Sequence, residues 1–125
     1  LFDKKVGAGD IALTPDGKTL IATSDAGDVK ICSVAKKEVL RAFKAHGQRI
    51  RGCQVSPDGK RFVTLSYDWV IKCWDIASAK ELRSWELNFP PIDRASFNTP
   101  LAFSPDGKQL AVGNTNTTLF VLDLP

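Results

Sequence analysis

The chain has 125 residues, enough for one domain or part of a larger one, since a single core is built on roughly 100–150. Hydrophobic residues make up 43% and charged residues 25%, a globular balance that excludes a disordered tail. The formal charge is only +3 and the basic residues are scattered, so charge gives no argument for a nucleic-acid or membrane partner, and neither is expected.

No run approaches the roughly 18 apolar residues of a membrane-spanning helix. Cys32, Cys53 and Cys73 are an odd set without CxxC spacing. That argues against a disulfide framework and for a reducing compartment, so a cytoplasmic location is expected. His46 is the single histidine, which leaves no histidine-rich metal site, and no cofactor is implied. The sequence has no methionine and opens on Leu1, so a fragment of a longer chain is expected.

In chain order, Gly7-Ala8-Gly9 is too short for a phosphate loop and lacks the lysine and helix that should follow. Ile11–Leu13 and Leu20–Thr23 then flank the turn Thr14-Pro15-Asp16-Gly17-Lys18. Proline presets φ at the second turn position, glycine accepts the left-handed backbone, and hydroxyl and carboxylate groups bond nearby amides. A polar turn over 25–28 leads to Val29–Cys32, and Val39–Phe43 follows. The same order returns with Cys53–Val55, the turn Ser56-Pro57-Asp58-Gly59-Lys60, Phe62–Leu65, the turn Tyr67-Asp68-Trp69, Val70–Trp74 and Leu82–Leu87. It returns once more with Leu101–Phe103, Ser104-Pro105-Asp106-Gly107-Lys108, Leu110–Val112, a turn over 114–117 and Leu119–Leu122. These runs are too short for helices and rich in β-formers, so they predict hairpins. Residues 77–82 are compatible with a helical turn, but a turn leading into a fourth strand suits the repeat better.

The turn prolines are 42 and then 48 residues apart, and the excess falls in a proline-containing loop over 88–100. Four short antiparallel strands at a period in the forties form the unit of a propeller blade. The expected fold is therefore all-β, a partial β-propeller of about three four-stranded antiparallel blades over 10–43, 48–87 and 99–124, all within one partial domain 1–125.

At these residues the chain resembles the WD-repeat family of β-propellers, over nearly its whole length, with Ser-Pro-Asp-Gly-Lys turns like those of bacterial members. Trp74-Asp75 matches the namesake dipeptide. His46, 11 residues before Pro57, falls where members carry the histidine of a Gly-His pair, although Ala45 replaces the glycine. The resemblance implies a buried hydrogen-bond network of His46, Thr64, Asp68 and Trp74. The chemistry of these groups allows it, because an indole donor, a hydroxyl, a carboxylate and an imidazole can satisfy one another. The outer repeats carry Ala22, Ala26 and Cys32, and Val112, Asn116 and Leu122, at the Thr64, Asp68 and Trp74 positions, so apolar packing is expected to hold them. Leu1-Phe2 resembles the tail of a preceding fourth strand. The resemblance then implies the last three blades of a larger ring, whose open blade edges and faces leave self-association available.

His46, Thr64 and Asp68 also invite a catalytic-triad reading. Blade locking explains the same residues, and no glycine-rich elbow surrounds Thr64, so no catalytic residue and no enzyme activity are expected. Asp16, Asp58 and Asp106 are isolated, which favours plain turns over calcium loops. Members of the family act as rigid protein-binding platforms, using the rim where the loop before the first strand meets the turn after the second. Arg49, Tyr67, Trp69 and Phe97 map there, and such residue types dominate interface energies. The expected function is a non-catalytic scaffold for protein or peptide partners. The alternative is an accessory sensor arm of a larger multidomain enzyme such as a bacterial protein kinase.

Overall fold

The computed structural model describes residues 10–87, 101–113 and 119–125. The Leu1-Phe2 and Gly7–Gly9 segments, the loop over 88–100 with Phe97, and the turn over 114–117 lie outside these. The described residues form eleven strands and no helix.

The first antiparallel sheet holds β1 (Ile11–Leu13), β2 (Thr19–Thr23), β3 (Asp28–Ser33) and β4 (Glu38–Lys44) in sequence order. The second holds β5 (Ile50–Val55), β6 (Arg61–Ser66), β7 (Val70–Asp75) and β8 (Glu81–Glu86) in the same order. The third holds β9 (Leu101–Phe103), β10 (Gln109–Gly113) and β11 (Leu119–Asp123). This is an all-β arc of propeller blades, two with four strands and one with three. The 77–82 segment forms a turn and then enters β8, as the repeat requires.

Local chemistry makes each hairpin. In the β1–β2 turn the Thr14 hydroxyl donates to Asp16 Oδ1 (2.6 Å), and that oxygen also accepts the Lys18 N–H (3.0 Å). Ser56 with Asp58 and Ser104 with Asp106 repeat the arrangement at 2.6 and 2.5 Å. Gly17, Gly59 and Gly107 close these turns at φ of 71°, 73° and 71°, where a β-carbon is disfavoured. The hydroxyl and amide donors hold all three carboxyls below their ordinary pKa.

Blades stack through alternate strand residues. Ile21, Val29 and Ile31 of the first blade pack against Cys53, Phe62 and Trp74 of the second, with Phe43 on Trp74 at 4.9 Å between ring centroids. Val63, Leu65, Ile71 and Cys73 use the second blade's other face to meet Leu101, Leu110 and Val112 of the third. The first strands are neighbours, β1 beside β5 and β5 beside β9. They share the inner side of the arc, while β4 and β8 lie largely exposed at its outside. All three cysteines are free and buried, and burial pushes the Cys53 thiol up to about 12, far from a reactive thiolate.

The first blade is not held by apolar packing alone. The Asp10 N–H donates to Thr23 Oγ1 (2.8 Å), whose hydroxyl returns to the Asp10 carbonyl (3.1 Å). Asp10 Oδ2 accepts the Cys53 N–H of the second blade (3.0 Å). The repeat gave no sign of this, because Gly52 stands at the matching position of the second blade.

Candidate functional site

Three segments converge at one end of the arc: the β2–β3 turn, the segment before β5, and the β6–β7 turn. The first two are fastened through Gly27, whose carbonyl accepts the N–H groups of Ala45 (2.9 Å) and His46 (3.1 Å). Its φ is 89°, and a β-carbon there would stand 2.1 Å from the His46 carbonyl oxygen. Only glycine permits that approach, and the approach fixes where His46 enters the core.

Below this end the polar network forms. His46 Nε2 lies 2.7 Å from Thr64 Oγ1, and Trp74 Nε1–H donates to the same oxygen at 3.0 Å. Thr64 is fully buried and His46 only 4% exposed. When the imidazole carries its proton on Nδ1, the hydroxyl accepts from the indole and donates to Nε2, so neither hydroxyl role is wasted. Burial, with the nearby Lys72 charge adding to it, pushes the His46 pKa down to about 4, so the ring is neutral at pH 7. A hydroxyl buried in this way is a packing element out of reach of a substrate.

Asp68, expected as the fourth member, stands apart. Among the described residues it makes no hydrogen bond to His46, Thr64 or Trp74. Its carboxylate accepts the Ser66 hydroxyl and the Val70 N–H (3.4 Å), while Trp69 N–H donates to the Ser66 carbonyl (3.1 Å). This is the bonding of the Ser-Pro-Asp-Gly turns carried by Ser66-Tyr67-Asp68-Trp69. Local capping, two residues away, wins over the long reach to the histidine. Asp68 still acts at a distance, its charge pulling the His46 pKa up against burial.

The turn analogy places Trp69 where the other turns have glycine, and its φ is 64°. A residue with a β-carbon is held there at a cost of about 1–2 kcal/mol, which the surroundings must overcome. Trp69 packs on the core between the second and third blades, and its carbonyl accepts the Leu87 N–H (2.9 Å).

Three of the four sequence-predicted partner residues meet here, and Phe97 lies outside the described residues. The Arg49 guanidinium carbon stands 5.4 Å from the Tyr67 ring centroid, and Arg49 Nε pairs with Asp25 of the first blade at 3.0 Å. Both ionic side chains are about half exposed (50% and 52%), so the pair contributes about 1 kcal/mol or less. Between the two aromatic rings lies Arg51, 4.2 Å from Tyr67 and 4.5 Å from Trp69. Each such contact contributes about 0.5–2 kcal/mol, depending on how dry it is.

Neither Arg51 nor Asp25 is among the sequence-predicted partner residues. Arg51 is the extra residue of a β-bulge between Ile50 and Gly52, which re-aims its side chain.

Comparison with known proteins finds similarity over most of the chain. Residues 37–75, the span that supplies the network, match the family model described as WD domain, G-beta repeat. Over 112 residues the chain is 27% identical to "Protein groucho" of Drosophila melanogaster, with 90% of this chain aligned. The alignment spans 14% of that relative's length.

Proposed function

We propose that the chain supplies three blades of a WD-repeat propeller that serves as a non-catalytic platform for protein or peptide partners. The observation that carries this reading is the cluster of Arg49, Arg51, Tyr67 and Trp69 at one end of the arc. Two guanidinium groups and two rings are held on strand ends and a hydrogen-bonded turn, so little entropy is lost when a partner meets them. Arginine, tyrosine and tryptophan are the types that anchor interfaces. The buried network beneath them keeps the turn and the preceding loop in register. The family match of residues 37–75 supports the same reading.

The test is to select binders from a displayed peptide library and measure their affinity for the chain by calorimetry. Arg49→Glu and Tyr67→Ala should each weaken the selected binders at least tenfold while near-UV circular dichroism shows the chain still folded. Binders unaffected by both substitutions would remove this end of the arc as the binding face.

A further inference from the structure

The arginine–aromatic end of the arc already holds one carboxylate on a guanidinium, and the chain itself supplies it. Asp25, in the β2–β3 turn, meets Arg49 Nε at 3.0 Å across the junction between the first two blades. The neighbouring acids serve their own turns. Asp28 Oδ2 accepts the Ser24 hydroxyl (3.4 Å), and Asp68 Oδ1 accepts the Ser66 hydroxyl and the Val70 N–H. Among the described residues Asp25 has no such bond, and its carboxylate goes to Arg49. About half of each ionic side chain stays in solvent, 50% for Arg49 and 52% for Asp25. An ion pair that wet is held weakly. Ala26, Gly47 and Gln48, beside the pair on the two segments, are exposed and carry no charge. Arg49 lies 5.4 Å and Arg51 4.2 Å from the Tyr67 ring centroid, so two guanidinium groups converge on one ring.

We infer that this end of the arc takes an acidic peptide, whose aspartate or glutamate replaces Asp25 on Arg49. The inference rests on the platform reading above and adds the chemistry of the partner. Asp25 is the internal stand-in for the ligand: it shows that a carboxylate fits the Arg49 guanidinium beside Tyr67. Displacing it costs little, because both released groups already lie half in water. A partner's carboxylate approaches from the solvent side and meets a planar fork of donors suited to carboxylates. The Tyr67 ring offers the methylene groups of that side chain an apolar surface. Asp25 also sets a threshold. It competes with any single acidic residue, whereas a run of several presents a higher local concentration of carboxylate and prevails.

Calorimetry on the peptides selected from the displayed library tests this. Each is compared with a twin in which asparagine and glutamine replace every aspartate and glutamate. The selected peptides should be rich in acidic residues, and their neutral twins should bind about tenfold more weakly. Asp25→Asn removes the internal competitor and should tighten the acidic peptides roughly two- to fivefold. That gain should vanish when Asp25→Asn is combined with Arg49→Gln, because the competition acts through Arg49. Near-UV circular dichroism verifies that the tryptophan packing survives these exposed substitutions. Peptides that lack acidic residues yet depend on Tyr67 would overturn the acidic partner and leave the platform reading standing. Peptides indifferent to both Arg49→Glu and Tyr67→Ala would remove the platform face, and this inference with it. Basic peptides as the tightest binders, or no gain in affinity from Asp25→Asn, would also refute it.

Discussion

Replacing Thr64 with valine keeps the shape of the side chain and removes its hydroxyl, so it isolates the buried network. Trp74 Nε1 and His46 Nε2 then lose the oxygen they share at 3.0 and 2.7 Å. Thr64 is fully buried, and Trp74 and His46 are 6% and 4% exposed, so water has poor access to take its place. Each buried polar group left unsatisfied costs about 1–3 kcal/mol. The added methyl recovers about 1 kcal/mol by burial, leaving a net loss of about 1–5 kcal/mol. For a chain of this size that is roughly 4–20 °C in Tm. Urea titration followed by tryptophan fluorescence should show a lower midpoint at unchanged slope. Thr64→Ser, which keeps the oxygen, should recover most of the loss. A midpoint for Thr64→Val equal to that of the parent would refute the claim that the hydroxyl holds the second blade together.

Acid should weaken the same network. An ordinary imidazole titrates near 6.5 and His46 near 4, so between those values the unfolded chain binds the extra proton. The stability from neutral, buried His46 is therefore complete above pH 6.5 and is lost as pH falls toward 4, by on the order of 3 kcal/mol; His46→Gln should flatten that window in a urea series taken against pH. Gly27→Ala should cost about 3 kcal/mol or more, through a β-carbon driven against the His46 carbonyl, whereas Gly17→Ala, with open space around it, should cost only about 1–2 kcal/mol. Paired urea midpoints decide this, and equal losses would contradict the close approach. At position 69, Trp69→Gly should be more stable than Trp69→Ala by about 1 kcal/mol, because both remove the ring and only glycine relieves the positive φ. Equal midpoints for those two variants would mean the turn backbone relaxes once the ring is gone.

Features that depend on near neighbours are legible from the residues alone. The hydroxyl, aspartate and glycine of Thr14–Gly17 and its two repeats make their hydrogen bonds within five residues, with proline presetting the backbone, so each hairpin was legible. Alternating runs such as Phe62–Leu65 fixed which side chains face a neighbouring blade, and the repeat made the blades equivalent. His46, Thr64 and Trp74 were legible together because the resemblance supplied contacts 18 and 10 residues apart that local chemistry does not dictate. Asp68 shows where that failed: two bonding patterns were open to one carboxylate, and the shorter reach to Ser66 and Val70 prevailed. Arg51 needed the bulge, which depends on how β5 seats against β6 and not on the residues around it. Asp10 had no repeat partner, and its bond to Cys53, 43 residues away, exists only once two blades have stacked. Packing between blades decided these last features, because it brings together groups whose separation along the chain carries no short-range signal.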